Sequence, residues 1–172
     1  MPVEVRKLTN ANVYFDGQSY LGRVEEVNLP EVAIKQAEHK ALGMHGMIDI
    51  PAGMDKMELS MKWSTVDPVA MRKVSNAYRS WDFQVRSSME RYEAQGRTAQ
   101  DSYVAYFRGM PKNIAGQNFK QHDNVEAESK FSITYYKLEI NGAIIYEVDV
   151  LNNIYRVDGV DLLATYRANL GI

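Results

Sequence analysis

The sequence contains no cysteine, and this single absence excludes several kinds of chemistry. Disulfide bonds, thiolate metal ligands and cysteine nucleophiles all need the sulfhydryl group that the chain lacks. A chain without cysteine also folds independently of the redox state around it, which suits synthesis in a reducing cytosol. The sequence therefore predicts a protein that folds in the cytosol without covalent cross-links.

The sequence has only 3 histidines, and neither sign of charge is in large excess, since 20 basic residues stand against 22 acidic ones. This near balance offers no uniform attraction to phosphate, on which non-specific nucleic-acid binders depend. His39 and His45 lie on either side of Gly43 with no carboxylate at ligand spacing, which favours surface or packing roles over a metal site. No nucleophile elbow or phosphate-binding loop is present. We predict no enzymatic activity, no metal site and no cofactor.

Long hydrophobic runs are missing as well. Nowhere do about 18 apolar residues follow one another, as a membrane-spanning helix requires, and the first residues do not resemble a signal peptide. A hydrophobic share of 45% and a charged share of 24% are nevertheless those of an ordinary folded protein. We expect one domain over residues 1–172, neither secreted by a signal peptide nor spanning a membrane.

Runs with strand-like alternation, separated by turn residues, dominate what is present. They lie at residues 11–15, 19–27, 58–63, 81–93, 102–110, 125–140 and 143–150. Residues 31–42 are ambiguous, because their composition favours a helix while Val32 and Ile34 alternate as in a strand. The sequence predicts a mainly β fold, and propensity alone makes residues 31–42 helical.

Two helix signals interrupt the strand pattern. Asp67 stands where an N-cap is expected and Pro68 at the first helical position, which predicts an outer α-helix over about 67–79. A short C-terminal helix is expected near residues 160–169, ending at Gly171. Both helices would lie at the periphery of the β framework.

Methionine is concentrated in one glycine-punctuated segment, at about residues 43–57. Methionine is a flexible apolar side chain that fits irregular or partner surfaces. The segment is therefore either an adaptable loop of the core or an extended Met-rich arm that packs against another subunit. The candidate inter-subunit contacts are Met44, Met47, Ile48, Ile50, Met54 and Met57.

A hairpin around the turn Asn141-Gly142 supplies further candidates. A two-residue turn sets Leu138 opposite Ile145 and Ile140 opposite Ala143, on a face that becomes polar further from the turn. Either a β-bulge re-aims the strand, or a neighbouring subunit covers the apolar tip. In the second case Leu138, Ile140 and Ile145 are inter-subunit contacts.

Acidic residues lie two apart on both strands of this hairpin, Glu147 with Asp149 and Glu126 with Glu128. Because strand side chains alternate, each pair is expected to share one face. Such a row is most often a solvated surface. The functional alternative is the wall of a passage through which a polyanion slides without adhering.

An ordered set of short motifs resembles a known family over nearly the whole chain. The motifs are Ser19-Tyr20-Leu21-Gly22, Leu29-Pro30, Gly43-Met44, Leu59-Ser60-Met61-Lys62-Trp63, Tyr135-Tyr136-Lys137-Leu138, Glu147-Val148-Asp149, Gly159-Val160-Asp161-Leu162-Leu163 and Arg167-Ala168-Asn169-Leu170-Gly171-Ile172. The family is the major tail tube protein of contractile-tailed bacteriophages and of R-type tail-like bacteriocins. No single motif is diagnostic, whereas their order to the end of the chain is specific.

The resemblance implies a β-barrel or sandwich of two packed antiparallel sheets with one outer helix. It implies hexameric rings that stack into a hollow tube inside a contractile sheath. The tube is driven through a cell envelope on contraction and conducts DNA if a head is present. The resemblance also makes residues 31–40 a strand, against their helix propensity.

The same resemblance implies the partners and positions of the candidate residues. The partners are further copies of the chain, the tail sheath protein, the baseplate, tape-measure and tail-terminator proteins, and DNA that passes without specific binding. The expected location is the virion tail or a tail-like particle, after assembly in the host bacterial cytoplasm. Glu147, Asp149, Glu126 and Glu128 would line the lumen, while Arg72 and Lys73 would face the sheath unless they are ordinary solvated charges.

Two other functions are compatible with the sequence. A type VI secretion-like tube subunit would share the fold. A monomeric β-sandwich module that binds or hydrolyses carbohydrate could use the acidic face and some of the 11 tyrosines. Rings or hollow rods of the purified protein would separate both tube functions from the monomeric module.

Overall fold

A computed structural model describes residues 3–119, 121 and 126–172. Val125, with which one predicted strand begins, lies outside these ranges. The strands are β1 Val5–Phe15, β2 Gln18–Ser19, β3 Val24–Asn28, β4 Ile34–His39, β5 Ile48–Met54, β6 Met57–Trp63, β7 Trp81–Glu93, β8 Gly96–Pro111, β9 Ala127–Ile140, β10 Ala143–Asp149, β11 Ile154–Val157 and β12 Val160–Asp161. The helices are α1 Pro68–Val74 and α2 Ala164–Leu170.

The architecture is the predicted mainly β fold with an outer helix and a short C-terminal helix. The large sheet has the order β12-β11-β10-β9-β8-β7-β1-β2, and β6 joins it through β9 and carries β3 on its other edge. Strands β4 and β5 form a separate two-stranded antiparallel sheet. Over the described residues the strands do not close into a barrel, so the packed-sheet form of the prediction applies.

Strand β9 belongs to two parts of the fold, and a β-bulge at Thr134 separates them. On one edge of β9, residues 127–133 pair with β6 and residues 135–140 pair with β10. On the other edge β8 pairs with both parts, and Gly109 faces the bulge. A Cβ atom at Gly109 would lie 2.4 Å from the carbonyl oxygen of Ser132, so only glycine fits. The bulge is therefore the point at which the sheet divides.

The core lies between the β1–β7–β8–β9 sheet and the strands β3 and β6. Its centre is aromatic: the ring of Phe83 lies 4.7 Å from that of Phe15 and 4.6 Å from that of Phe131. Leu59 and Met61 of β6 are fully buried against these rings. Each such side chain stabilises the fold by roughly 1.5–3 kcal/mol, so the alternating apolar residues of these strands account for the sandwich.

Helix α1 begins where the sequence predicts and ends earlier. The Asp67 carboxylate caps it by accepting hydrogen bonds from the backbone N–H groups of Val69 and Ala70 at 2.8 and 3.0 Å. Arg23 forms an ion pair with the same carboxylate. The helix ends at Val74, short of the predicted residue 79, because Ser75 caps it.

The cap gives a testable effect on stability. The N–H group of Ala70, with those of Val69 and the charge of Arg23, lowers the pKa of Asp67 below its ordinary value. Because the pKa of Asp67 is lower in the folded chain than in the unfolded chain, the ionised carboxylate stabilises the fold at pH values above the unfolded-state pKa. This stabilisation is lost as the pH falls through the folded-state pKa. We expect Asp67→Ala to cost about 1 kcal/mol in urea unfolding at pH 7.

The pH dependence provides the check on this assignment. The difference in unfolding free energy between wild type and Asp67→Ala should narrow below about pH 4, where the free carboxyl group becomes protonated. The exposed Asp49→Ala serves as a matched control, since it removes a carboxylate without removing a cap. A difference that stays constant with pH would show that the charge of Asp67 contributes nothing.

Residues 34–39 form strand β4, so the resemblance was right and the helix propensity of this segment was misleading. Ala37 pairs with Ile50 and Glu38 with Asp49 in the antiparallel ladder with β5. Propensity is a local preference of a few tenths of a kcal/mol per residue, and pairing with a distant strand overrides it.

Candidate assembly surfaces and channel face

The Met-rich segment projects from the fold as a two-stranded hairpin, β4–β5, which we call the arm (residues 34–54). Ile50 and Ile48 of β5 lie opposite Ala37 and His39 and so share one face of the arm. Ile48 is 51% exposed and Ile50 45% exposed. An isolated two-stranded hairpin is marginally stable in water, and an uncovered apolar face makes it less so. The arm therefore has the character of an element that packs on another surface.

The methionines of the predicted arm divide into two groups. Met44 and Met47 are exposed near the tip of the arm. Met54 is partly buried at the base, where it packs against the core. Met57 is only 3% exposed and belongs to the core on strand β6. Its assignment as an inter-subunit contact is wrong, because its side chain is buried in the core of its own subunit.

The hairpin β9–β10 has a bulge, and this decides between the two interpretations of its apolar tip. The register slips at Ile145, so Leu138 lies opposite Tyr146 rather than Ile145. Beyond the slip, Tyr136 and Val148 face each other and are buried. Leu138 is 7% exposed, and its assignment as an inter-subunit contact is wrong, because the bulge at Thr134 in its own strand puts Leu138 on the same core-facing side as Ile133 and Tyr136.

Two of the predicted contacts on this hairpin keep some exposure. Ile145, the residue at the bulge, is exposed, and Ile140 is half-buried beside the turn. The turn itself is fastened to β8: the side-chain oxygen of Asn141 accepts from the N–H of Ser102 at 2.8 Å, and its amide donates to Asp101 at 2.7 Å. The tip is therefore held against its own sheet, and only Ile140 and Ile145 stay candidates for contact.

Glu147 and Asp149 lie on the outward face of the large sheet, opposite to the buried Val148 between them. Glu147 accepts a hydrogen bond from the Tyr135 hydroxyl at 3.0 Å and forms an ion pair with Arg156 at 2.7 Å. Burial raises the pKa of the Tyr135 hydroxyl most, and its hydrogen bond to Glu147 raises it further. The hydroxyl therefore stays protonated and donates to the carboxylate. Glu147 is thus held in place by two partners.

Asp149 has a structural role at the end of β10. Its carboxylate accepts hydrogen bonds from the backbone N–H groups of Leu151 and Asn152, each at 3.1 Å. The side-chain amide of Asn152 donates to it as well, at 2.7 Å. These contacts fix the turn that leads into β11. The pKa of Arg108, on the same face of the sheet, is raised chiefly by its hydrogen bond to Asp82, and the charge of Asp149 also contributes to raising it.

The rest of the outward face alternates in charge. Arg108 pairs with Asp82 across β7 and β8, and Lys137 pairs with Glu139 along β9, both at 2.7 Å. The Lys137 ammonium also lies 4.4 Å from the ring centroid of Tyr106. Together with the Glu147–Arg156 pair, these contacts make the face a mosaic of paired charges rather than a uniformly acidic wall.

The second acidic pair lies elsewhere. Glu128 stands opposite Lys62 of β6, and Lys62 in turn contacts Glu26 of β3 at 2.9 Å. Strand rise puts Glu128 about 30 Å along β9 from Lys137, the partner of Glu147. Glu126 pairs with Asn118 by an isolated bridge. Glu128 and Lys137 both lie on the side of β9 that faces away from its buried residues, so distance along the strand, and not a change of face, separates the two acidic pairs. The assignment of these four acids to the wall of a lumen stays a prediction.

The two basic residues of α1 have different environments. Arg72 is exposed. Lys73 is only 15% exposed, pairs with Asp16 at 2.8 Å, and lies 5.2 and 5.5 Å from the ring centroids of Phe15 and Trp81. Lys73 is therefore bound within its own subunit and is wrongly assigned to the sheath, whereas Arg72 is free to meet a partner.

An apolar surface at the C-terminus was not anticipated from the sequence. Helix α2 buries none of its residues, although Arg167 ties its start to the chain through Asp161 at 2.6 Å. The exposed apolar side chains of this region are Leu151, Val157, Val160, Leu162, Tyr166, Leu170 and Ile172. Helical spacing of Leu163, Tyr166 and Leu170 was the available signal. Like the apolar face of the arm, these side chains are exposed in the part of the subunit that the structure describes.

Sites for metals and membrane spans were also sought among the residues in the described ranges. There, no three or more His, Asp and Glu side chains converge as metal ligands. In the same part of the chain, neither helix is long and apolar enough to cross a bilayer.

A packed-sheet subunit that leaves an arm and a terminal helix uncovered has the features of a structural protein that assembles through those elements. The chain belongs to the phage tail tube protein FII family, whose model matches residues 5–171. The resemblance read from the short motifs is thereby confirmed, as is the function as a tail tube protein of a contractile system. Proteins of this family are structural parts of the phage tail.

Known proteins show the same relationship. The chain is 31% identical to the tail tube protein of Escherichia phage P2 over 171 residues, covering 97% of this chain and 98% of that protein. It is 27% identical to the major tail tube protein of Serratia phage KSP20, covering 91% and 90% of the two chains.

Two solved structures share the fold. One is a sheath-tube complex of an extracellular contractile injection system in its extended state (TM-score 0.57, 9% identity, 75% of this chain and 87% of that one). The other is the sheath/tube terminator of such a system (TM-score 0.56, 9% identity, 75% and 92%). At such identities the match concerns the fold alone.

Proposed function

We propose that the protein forms hexameric rings that stack into the hollow inner tube of a contractile tail, and that sheath contraction drives this tube through a cell envelope. The observation that carries the proposal is the arm, whose apolar face finds no cover in its own subunit. Where a DNA-filled head is attached, the tube conducts the DNA. The particle is assembled in the host bacterial cytoplasm.

Assembly through the arm has a geometric consequence. The arm and the C-terminal surface are different elements, so a contact that uses either one joins unlike surfaces of two copies. Such head-to-tail contacts close into rings or propagate as filaments, whereas a two-fold dimer needs one self-complementary patch. A stack of rings requires one set of contacts that closes each ring and a second set that joins one ring to the next. The arm and the C-terminal surface could supply these two sets.

The outward face of the large sheet is the proposed channel lining. Its paired charges, such as Arg108 with Asp82 and Glu147 with Arg156, present little net charge to a polyanion. A lining of this kind neither binds phosphate as a basic surface does nor depends on repulsion alone. The tail sheath protein is the proposed partner of the opposite side through α1 and Arg72, and tape-measure, terminator and baseplate proteins contact the ends.

Negative-stain electron microscopy of the purified protein tests the proposal. We expect rings with six-fold averages, or hollow rods, at concentrations where the subunits associate. Dispersed particles the size of one 19.6 kDa chain under all conditions would contradict it.

Reversing one charge on the channel face should slow DNA release. Glu147→Lys replaces a paired acid by a base beside Arg156, which creates an anion-binding patch in every subunit of a ring. In a particle with a DNA-filled head we expect assembled tubes and a DNA release rate at least several-fold lower at low salt, measured after triggering ejection in vitro.

The control exchanges the two partners. Glu147→Arg with Arg156→Glu keeps the ion pair and the net charge, so its release rate should match that of the wild type. Equal rates for Glu147→Lys and the wild type would place this face outside the channel.

A further inference from the structure

A groove lies beside the base of the arm, where three parts of the chain meet. It has a volume of about 690 Å³ and lies between residues 51–57, residues 132–134 of β9, and the segment that runs from Asp149 to α2. Its apolar lining includes Met54, Ile133, Val150, Leu163 and Tyr166. Val150 and Tyr166 are both exposed, so the groove is open to solvent in the single subunit.

The arm of the same subunit does not fill this groove. Residues 51–57 form one wall, while the apolar face of the arm begins at Ile50 and continues away from the wall to Ile48 and the tip. Extended strands rise about 3.3 Å per residue, so Ile48 lies roughly 20 Å from Met54 along β5. A paired strand is too stiff to fold back over that length.

The arm of a second copy has an apolar face that matches the apolar lining of the groove. One arm face carries Ile48, Ile50 and Ala37, with His39 beside Ile48, and the other carries the polar Gln36, Glu38 and Asp49. Laying the first face in the groove covers both isoleucines and the exposed Val150 and Tyr166, and it leaves the charged face in water. Removing these four partly exposed apolar side chains from water favours the contact and offsets the loss of freedom of the arm.

We propose that this groove is the docking site for the arm of a neighbouring copy of the same chain. The inference rests on the proposed tube, since it names the contact by which copies join. Donor and acceptor surfaces are both present on every subunit and lie at opposite ends of the arm. Each copy therefore donates its arm to one neighbour and accepts the arm of another, which propagates without limit unless it closes into a ring.

Disulfide cross-linking tests the contact cleanly, because the chain has no cysteine of its own. Two single-cysteine variants, Ile48→Cys and Val150→Cys, are purified separately, and one carries a size tag. They are mixed, assembled and mildly oxidised. Since each polypeptide holds one thiol, every cross-link joins two copies, and the tag separates the mixed dimer from either homodimer on a non-reducing gel.

We expect the mixed dimer to be the main product in assembled tubes, at least tenfold above a control mixture. The control pairs Ile48→Cys with Val69→Cys, a residue of α1 with similar exposure that lies outside the groove. If either groove variant fails to assemble in the reduced state, Ile50→Cys with Tyr166→Cys replaces the pair.

The outcomes separate this inference from the proposed function. If the wild type forms tubes but the mixed dimers are no more abundant than in the control mixture, the docking site is wrong and the proposed tube is unaffected. A wild-type protein that never assembles overturns the tube itself. Mixed dimers at full yield before assembly, in dilute monomer, would show a random collision product and would also count against the site.

Discussion

Replacing Ile48 and Ile50 together by aspartate abolishes tube formation and leaves the subunit folded. Both side chains are about half exposed in the single subunit, so their loss removes little of its core. In the proposed assembly each is covered, and losing about 1.5 kcal/mol per residue raises the critical concentration for assembly by roughly 100-fold. Pelleting and light scattering across a concentration series measure this change, and circular dichroism verifies the fold.

A control variant with the same change in net charge isolates the apolar contact. Gln36→Glu with Lys40→Gln also makes the arm more negative by two charges per subunit, as the aspartate pair does. Gln36 lies on the polar face of the arm, and Lys40 directly follows β4. We expect this control to assemble within a few-fold of the wild-type concentration. Normal assembly of the aspartate pair would remove the arm from the interface.

Replacing Gly109 by alanine destabilises the subunit itself. The new Cβ atom would lie 2.4 Å from the carbonyl oxygen of Ser132 and 2.6 Å from the terminal methyl of Ile133. The methyl can rotate away, but the carbonyl belongs to the strand that carries the bulge and moves only if the ladder between β8 and β9 moves. Overpacking of this kind costs roughly 3 kcal/mol, and valine costs more.

Urea or thermal unfolding of the unassembled subunit measures this loss. For a domain of this size, a loss of about 3 kcal/mol lowers the melting temperature by roughly 6–12 °C. Gly116→Ala is the matched control, because nothing lies within 4 Å of its added Cβ and its backbone has no positive φ. A Gly109→Ala protein as stable as the control would mean that β8 and β9 separate at the bulge with little strain.

Much of the fold was readable from local patterns. Strand alternation, the Asp67-Pro68 helix start and the exposed Met-rich arm all follow from residues close together in sequence, and the structure contains each of them. Strand β4 was not readable in this way, because its helix-favouring composition is overridden by pairing with β5. Here the resemblance to a family supplied what local propensity did not.

The bulges limited the prediction of the candidate site. A bulge inserts one residue, so it reverses which side chains face the core for the rest of the strand. The bulge at Thr134 put Leu138 on the core face of β9, and the bulge at Ile145 moved Ile145 away from the position opposite Leu138. The one at Thr134 was visible as a change of phase, since Phe131 and Ile133 precede it at odd positions and Tyr136 and Leu138 follow at even ones.

The ion pairs of the sheet could not be predicted from the sequence. Glu147 and Arg156 are brought together by the β10–β11 ladder, and Arg108 and Asp82 by the ladder between β7 and β8. Neither spacing is distinctive along the chain. An acidic pair on a strand therefore predicted an acidic wall, whereas strands that meet across the sheet supply the cations.

The pairing of β6 with β9 has a mechanical consequence for a tube that pierces an envelope. The arm continues through residues 55–56 into β6, and β6 pairs with β9 along its whole length, from Met57 with Ile133 to Trp63 with Ala127. A pull that enters at Met57 and leaves through β9 beyond Ile133 loads this antiparallel ladder at one end, so the Met57–Ile133 end bears the force first and the buried Leu59 and Met61 resist further separation. Beyond Thr134 strand β9 carries the proposed channel face, so tension that enters at the proposed arm contact would reach the lining across a single strand pairing.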